Sequence, residues 1–381
     1  MILLENQVAL KFSVGPFLDF IDITDFMGME IKENAGGIRP ILAIRFNVND
    51  ERVLPYLNEG NLITLSYGIQ QPTSDILQFK IEGQVVTKQY GGGAYVELLG
   101  SMYNPLFTGR QSSNQFIGKK SFEVFQQIAN ETALKFKTNV TKTDDQQDWY
   151  QNGLTGWEFI NSVFPNIYLD NSTFFAYAFD NNNLYLYDVK QHLKQGPKWI
   201  LTVTGKGSQD AANAPVINIA TYQATDTYSG QMNKLIGKNK TTHGYNVDSG
   251  EFFEAQAKLQ SYCTMDTTNL NMNTTNCEEH DYKIMTGSQH ANALNAQIQN
   301  TNNNLLYSSY VVYVPVIGQY RDFRLLDTVM LIPADTDKQV QGLYLITSIC
   351  RQLKDNKLQV NLTLSRESAN GLVGDSLQKG V

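Results

Sequence analysis

The stretch LQFKIEGQV, residues 77–85, sets Leu77, Phe79, Ile81 and Val85 on one face and Gln78, Lys80, Glu82 and Gln84 on the other. A period of two predicts a strand with one buried face. Alternation resumes through Ala94, Val96 and Leu98 after Gly91-Gly92-Gly93, so the two arms predict an antiparallel hairpin with a glycine tip. A further strand over residues 62–67 comes before it, introduced by Glu59-Gly60.

Near the C-terminus the same order returns. Leu358, Val360, Leu362 and Leu364 face one way and Lys357, Gln359, Asn361 and Thr363 the other, after an apolar arm over residues 343–350 and a tip at Lys354-Asp355-Asn356. A strand over 328–332 precedes this hairpin as residues 62–67 precede the first. The spacing is nearly constant: Ile63 to Val329 (329 − 63 = 266), Phe79 to Tyr344 (344 − 79 = 265) and Val96 to Val360 (360 − 96 = 264). Equal order at near-equal spacing predicts a duplicated sheet-built unit.

Between the copies the period becomes helical. Ser121 is placed to cap a helix burying Phe122, Phe125, Ile128 and Ala129. Thr155 and Glu158 form a capping box for a second helix carrying Trp157, Ile160 and Phe164, with Asp144-Asp145 in the link between the two. A hairpin over 173–179 and 184–189 turns at Asp180-Asn181-Asn182-Asn183. Residues 205–215 read as a polar linker, and 241–304 as a second, Asn-rich insertion with helical stretches at 252–259 and 291–298, poor in apolar residues and expected to be the most mobile part or to be ordered by a neighbouring subunit.

The fold class expected is α+β, mainly β: two similar antiparallel β-barrels with two inserted α+β segments. The division runs 1–102 (first barrel), 103–204 (first insertion), 205–240 with 305–368 (split second barrel), 241–304 (second insertion) and 369–381 (tail).

A net charge of −7 over 381 residues, with 42% hydrophobic and 18% charged residues, describes a globular chain with little to grip nucleic acid. No run approaches the ~20 apolar residues of a membrane span, and the first ten residues lack the basic-then-apolar pattern of an export signal. Three cysteines, Cys263, Cys277 and Cys350, predict free thiols rather than a disulfide framework. The Asn-x-Ser/Thr matches, Asn130, Asn171 and Asn273 among them, follow from composition.

Candidate chemistry is sparse. Cys263, Cys277, His280 and His290 are zinc-ligand types without the two tight pairs of a structural site, and no metal or cofactor is expected. No Gly-x-Ser-x-Gly or papain-like Cys signature accompanies the four histidines. Asp144, Asp145, Asp148 and Glu158 offer carboxylates for a glycosidase, but a turn and a helix cap account for them equally. Gly91-Gly92-Gly93 lacks the following helix and Lys-Ser/Thr of a phosphate loop. Trp149, Tyr150 and Trp157 could stack on sugars, although Trp157 at helical spacing fits a core.

Three segments carry a family resemblance: SFEVFQQIANETALK (121–135) with WYQNGLTGWEFINSVF (149–164), FFAYAFDNNNLYLYDV (174–189), and LLDTVMLIPADTDKQVQGLYLITSICRQLKDNKLQVNLTLSRES (325–368). Together they resemble the central hub proteins of contractile phage baseplates, the late-control D proteins, and the N-terminal part of type VI secretion spike proteins. The resemblance implies a non-enzymatic virion protein, assembled in the bacterial cytoplasm. It implies a homotrimer in which six related barrels adapt a sixfold tail tube to a threefold spike. The implied partners are tube or tube-initiator, spike, and wedge or tape-measure proteins, with DNA passing through unbound and no membrane insertion. A tail-associated glycosidase and a carbohydrate-binding β module are the alternatives.

Overall fold

The structure, a computed structural model, describes residues 8–14, 26–49, 51–69, 76–88, 92–203, 214–226, 240–248, 250–257, 279–285, 289–307, 310–317, 322–333, 340–354 and 357–366. The predicted hairpin is β5 (Leu77–Lys88) and β6 (Ala94–Met102), which follow β1 (Val8–Val14), β2 (Phe26–Asn34), β3 (Ile41–Val48) and β4 (Leu62–Ile69). Phe79, Ile81, Val96 and Leu98 are fully buried, as the alternation requires, but Val85, expected on the same face, is exposed, because a bulge between Ile81 and Gly83 shifts the alternation by one residue. Gly92 and Gly93 both take positive φ at the tip, a conformation glycine adopts without steric cost. The strands pair antiparallel in the order β1-β4-β5-β6-β3-β2.

An inserted region follows: β7 (Gln111–Lys119), α1 (Ser121–Glu131), β8 (Lys135–Thr138), β9 (Gln147–Thr155), α2 (Gly156–Val163), β10 (Phe175–Phe179), β11 (Asn183–Asp188) and α3 (Val189–Lys194). Thr155 and Glu158 close the expected capping box on α2. Ser121 does not cap α1. It lies inside the first turn, fully buried, and Lys120 is the cap residue, its backbone N–H donating to Glu123 Oε2 at 2.9 Å. Asp145 draws Ser121 inward by accepting its backbone N–H at 2.9 Å and its hydroxyl. The β10–β11 hairpin has two buried faces: Phe175, Tyr177 and Leu184 join the core of the insertion, whereas Phe174, Ala178 and Tyr185 join the core of the C-terminal sheet.

The chain continues as β12 (Trp199–Thr202), β13 (Val216–Asn218) and β14 (Gln223–Asp226), and then as a second excursion of β15 (Lys240–Asn246), β16 (Phe252–Ala257), β17 (Glu279–Met285) and α4 (Ala293–Tyr307). Residues 252–257, expected as helix, form a strand. The aromatic run pairs across β15, with the Phe252 and Tyr245 rings 4.7 Å apart, and this pairing overrides local helical spacing. The Asn-rich helix is held by the first insertion of the same chain: Asn300 is buried, and its Nδ2 donates to the carbonyls of Ile167 (2.9 Å) and Pro165 (3.1 Å). The last strands are β18 (Tyr310–Ile317), β19 (Thr328–Ile332), β20 (Gly342–Lys354) and β21 (Lys357–Arg366).

The C-terminal strands reproduce the N-terminal ones. In order they run β19-β20-β21-β18-β14, matching β4-β5-β6-β3-β2, and all these pairs are antiparallel. Residue pairings transfer at fixed offsets. Ile63↔Phe79 becomes Val329↔Tyr344, Val86↔Val96 becomes Arg351↔Val360, Leu42↔Gly100 becomes Val312↔Leu364, and Ile31↔Leu42 becomes Ala224↔Val312. The β5–β6 bulge between Ile81 and Gly83 recurs between Ile346 and Ser348.

The corner ahead of it recurs too. Gly60 N–H donates to Ile81 O (2.9 Å) and Ile81 N–H to Asn61 O (2.8 Å), as Leu326 N–H does to Ile346 O (2.8 Å) and Ile346 N–H to Asp327 O (3.0 Å). Gly60 and Leu326 both sit at positive φ, 90° and 65°. The likeness stops at five strands, because β1 joins β4 antiparallel whereas β12 joins β19 parallel. Both copies belong to one thirteen-stranded sheet, and closure of either copy into a barrel is not among the described pairings. No helix among the described residues is long and apolar enough to cross a bilayer.

Candidate assembly site at the joint between the repeats

β20 has three neighbours where its counterpart β5 has two. Besides β19 and β21 it pairs with β2, from Gly28↔Lys354 to Asn34↔Ser348, and so joins the two copies into one sheet. Leu353 and Leu358 thereby fall in the core of the first copy, while Ile349, four residues away from Leu353, falls in that of the second.

A buried charge marks the joint. Arg351, 9% exposed, pairs through Nη1 with Glu33 Oε2 and donates through Nη2 to Phe323 O at 2.8 Å. Ser348 Oγ donates to Glu33 O (3.0 Å), Ala35 N–H to Thr347 O (2.8 Å), and Gln352 Nε2 to Glu30 Oε2 (2.9 Å). The strand then hands over to the insertion: Gly36 N–H donates to Tyr177 O (2.7 Å), and Gly37 O accepts from Trp157 Nε1 (3.1 Å) and Asn161 Nδ2 (3.3 Å). A Cβ on Gly37 would lie 2.7 Å from Asn161 Oδ1 and Tyr177 Oη, so any side chain here would have to displace the hydrogen bond between those two atoms. Cys350, a free thiol, lies across from Lys32 in the joint, and burial pushes its pKa up to about 12.

Three of the four carboxylates considered for catalysis are otherwise engaged, and the fourth, Asp144, is exposed. Asp145 is fully buried and accepts from Ser121 and from Tyr168 N–H (3.0 Å); Asp148 Oδ1 accepts Gly118 N–H (2.7 Å). Glu158 Oε2 accepts Thr155 N–H (2.8 Å) and Oγ1 (2.9 Å), and these bonds lower its pKa, the reverse of what a general acid needs.

Trp149, expected at the surface, is buried with its indole N–H on Lys119 O (2.8 Å), so it offers no face to a sugar; Tyr150 is 47% exposed. Trp157, expected in a core, is half-buried, with Arg39 over its ring. Cys263 and Cys277 lie outside the described residues, and His290 Nε2 lies 3.0 Å from Asn166 O. Among the described residues no three His, Cys, Asp or Glu side chains gather as a metal site would require.

The fold has counterparts among solved structures. The tail protein from Neisseria meningitidis MC58 superposes with a TM-score of 0.58 at 13% identity, covering 96% of this chain and 99% of that one. The 43 kDa tail protein of prophage MuSo2 from Shewanella oneidensis gives 0.55 at 10% identity, over 95% and 97%. The E. coli c3393 protein, described as a type VI secretion component structurally similar to the T4 bacteriophage tail proteins gp27 and gp5, gives 0.50 at 10% identity, over 95% and 78%. This chain therefore has the fold of phage tail proteins and of a secretion-system component. No protein-family model and no curated protein sequence matches it.

Proposed function

We propose that the chain is a structural subunit of a phage tail, the central baseplate hub. Three copies form a ring of six related units that adapts a sixfold tail tube to a threefold spike and encloses the DNA exit path. The observation that carries this is the repeat itself. A subunit holding the same paired strands twice presents six like surfaces when three copies assemble, while each of its two unlike insertions occurs three times. Coverage of nearly the whole length of two tail proteins supports the same reading.

In this proposal the two sheet copies are the barrel-like ring domains, divided as 1–102 and 205–240 with 305–368. The segments 103–204 and 241–304 are elaborations, and 369–381 is a tail. Tube or tube-initiator and spike proteins are the partners, with wedge or tape-measure proteins beyond them, and the work is assembly rather than catalysis.

Native mass measurement of the full chain over a range of concentrations tests it. Three copies per particle is the expected result. A strict monomer, both alone and with purified tube and spike proteins present, would refute the ring.

A further inference from the structure

The two copies differ in one respect that their shared register makes exact. In the second, residues 348–354 of β20 are covered on the outer edge by β2. In the first, the corresponding edge of β5 carries only β4, as far as Leu62↔Lys80, and the corner bonds at Ile81. Beyond that point no strand among the described residues pairs with it. The consequence shows in burial. Val85 and Val86 are 54% and 38% exposed, although Val86 corresponds to the buried Arg351. Two adjacent β-branched apolar residues on an edge that no described strand covers are a template for another strand.

The strand that fits is fixed by the same correspondence. β2 covers β20, and the counterpart of β2 is β14, which among the described residues pairs only with β18. β5 and β14 stand near opposite ends of the sheet, β14 outermost beyond β18 and β5 two strands in from β1, and they are not paired within the chain. We propose that β14 of a second copy of this chain adds to the β5 edge, repeating between subunits the joint that β2 and β20 make within one.

The register follows by transfer. Lys32↔Cys350 becomes Thr225↔Val85 (32 + 193 = 225; 350 − 265 = 85), and with it come Ala224↔Val86 and Gln223↔Thr87. The chemistry is compatible: Gln223, Ala224 and Thr225 bring no charge to the two valines, and Ala224 is exposed and ready to be covered. Each chain offers one edge of each kind, so contacts run head to tail rather than stopping at a twofold dimer, and with the threefold rotation of the proposed ring they close. This pairing rests on the ring proposed above and names the surfaces that build it.

The test is cysteine cross-linking of the full chain carrying Val85→Cys and Thr225→Cys under mild oxidation, with each single variant as a control for the native thiols. Facing residues place their Cα atoms about 4.5–5.5 Å apart, within disulfide reach. Covalent dimers and trimers on non-reducing gels are expected, and none from Lys88→Cys with Thr225→Cys, three residues out of register. A second variant, Val85→Lys with Val86→Lys, changes only exposed side chains and is expected to stay folded by circular dichroism but to run as a monomer.

Native-sized oligomers without the Val85–Thr225 cross-link, or undiminished assembly of the double-lysine variant, would overturn the pairing while leaving the ring standing. A monomer at every concentration, alone and with purified tube and spike proteins present, and without cross-links, would overturn both.

Discussion

Arg351 shows how one residue commits the joint. Its guanidinium is buried where the matching position of the first copy carries Val86, and Glu33 supplies the counter-charge from a strand 318 residues earlier. Removing one partner of a buried pair strands the other, at a cost of about 3–5 kcal/mol. Glu33→Ala should therefore lower unfolding stability by about that amount in urea titration. The double change Glu33→Ala, Arg351→Val, which restores the valine of the first copy, should recover much of the loss.

At the scale of elements, two half-buried histidines tie helical segments to their neighbours. His192 of α3 lies 2.9 Å from Leu326 O through Nε2 and stacks on Tyr187; His290, ahead of α4, meets Asn166 O. Burial lowers both pKa values below the ordinary 6.5, so the folded state favours the neutral rings. Their contribution is complete above the unfolded value of about 6.5 and is lost as pH falls through the lower folded values, because the unfolded chain then binds more protons. The melting temperature should drop between pH 7.5 and pH 5.5, and the drop should shrink in the His192→Gln, His290→Gln variant. An equal drop in that variant would place the effect elsewhere.

Over the whole molecule, sharing β20 between two cores makes the copies interdependent. Leu353 is 1% exposed and packs in the first core although it belongs by sequence to the second copy. Leu353→Ala should cost about 2–5 kcal/mol. It should also weaken hydrogen-exchange protection in β2 and β3 as well as in β20, while the chain keeps a single unfolding transition. Two separated transitions in the unmodified chain would contradict this coupling. The second excursion does not divide the sheet, because it leaves after β14 and returns at β18, two strands paired with each other.

The strands of both hairpins, their order and their offsets of 266, 265 and 264 are legible in the sequence. Period-two burial is a local pattern, and the pairings keep it up to the bulges after Ile81 and Ile346, where each strand shifts by one residue. The capping box at Thr155 is equally local. What tertiary structure alone decided depends on contacts between distant segments. Asp145 moved Ser121 from a cap into the first turn, Tyr245 turned the Phe252 segment into a strand, and Lys119 O took the indole of Trp149 into the core. The sequence division already sets β14 in the second copy, within 205–240, but its match to β2 and its pairing with β18 were hidden, because an inserted excursion separates it from β18 and a four-residue strand carries too few residues to announce its own period. The joint between β2 and β20 was hidden for a related reason: hydrogen bonds between strand edges involve backbone groups that every residue possesses, so side-chain patterns do not name the partner.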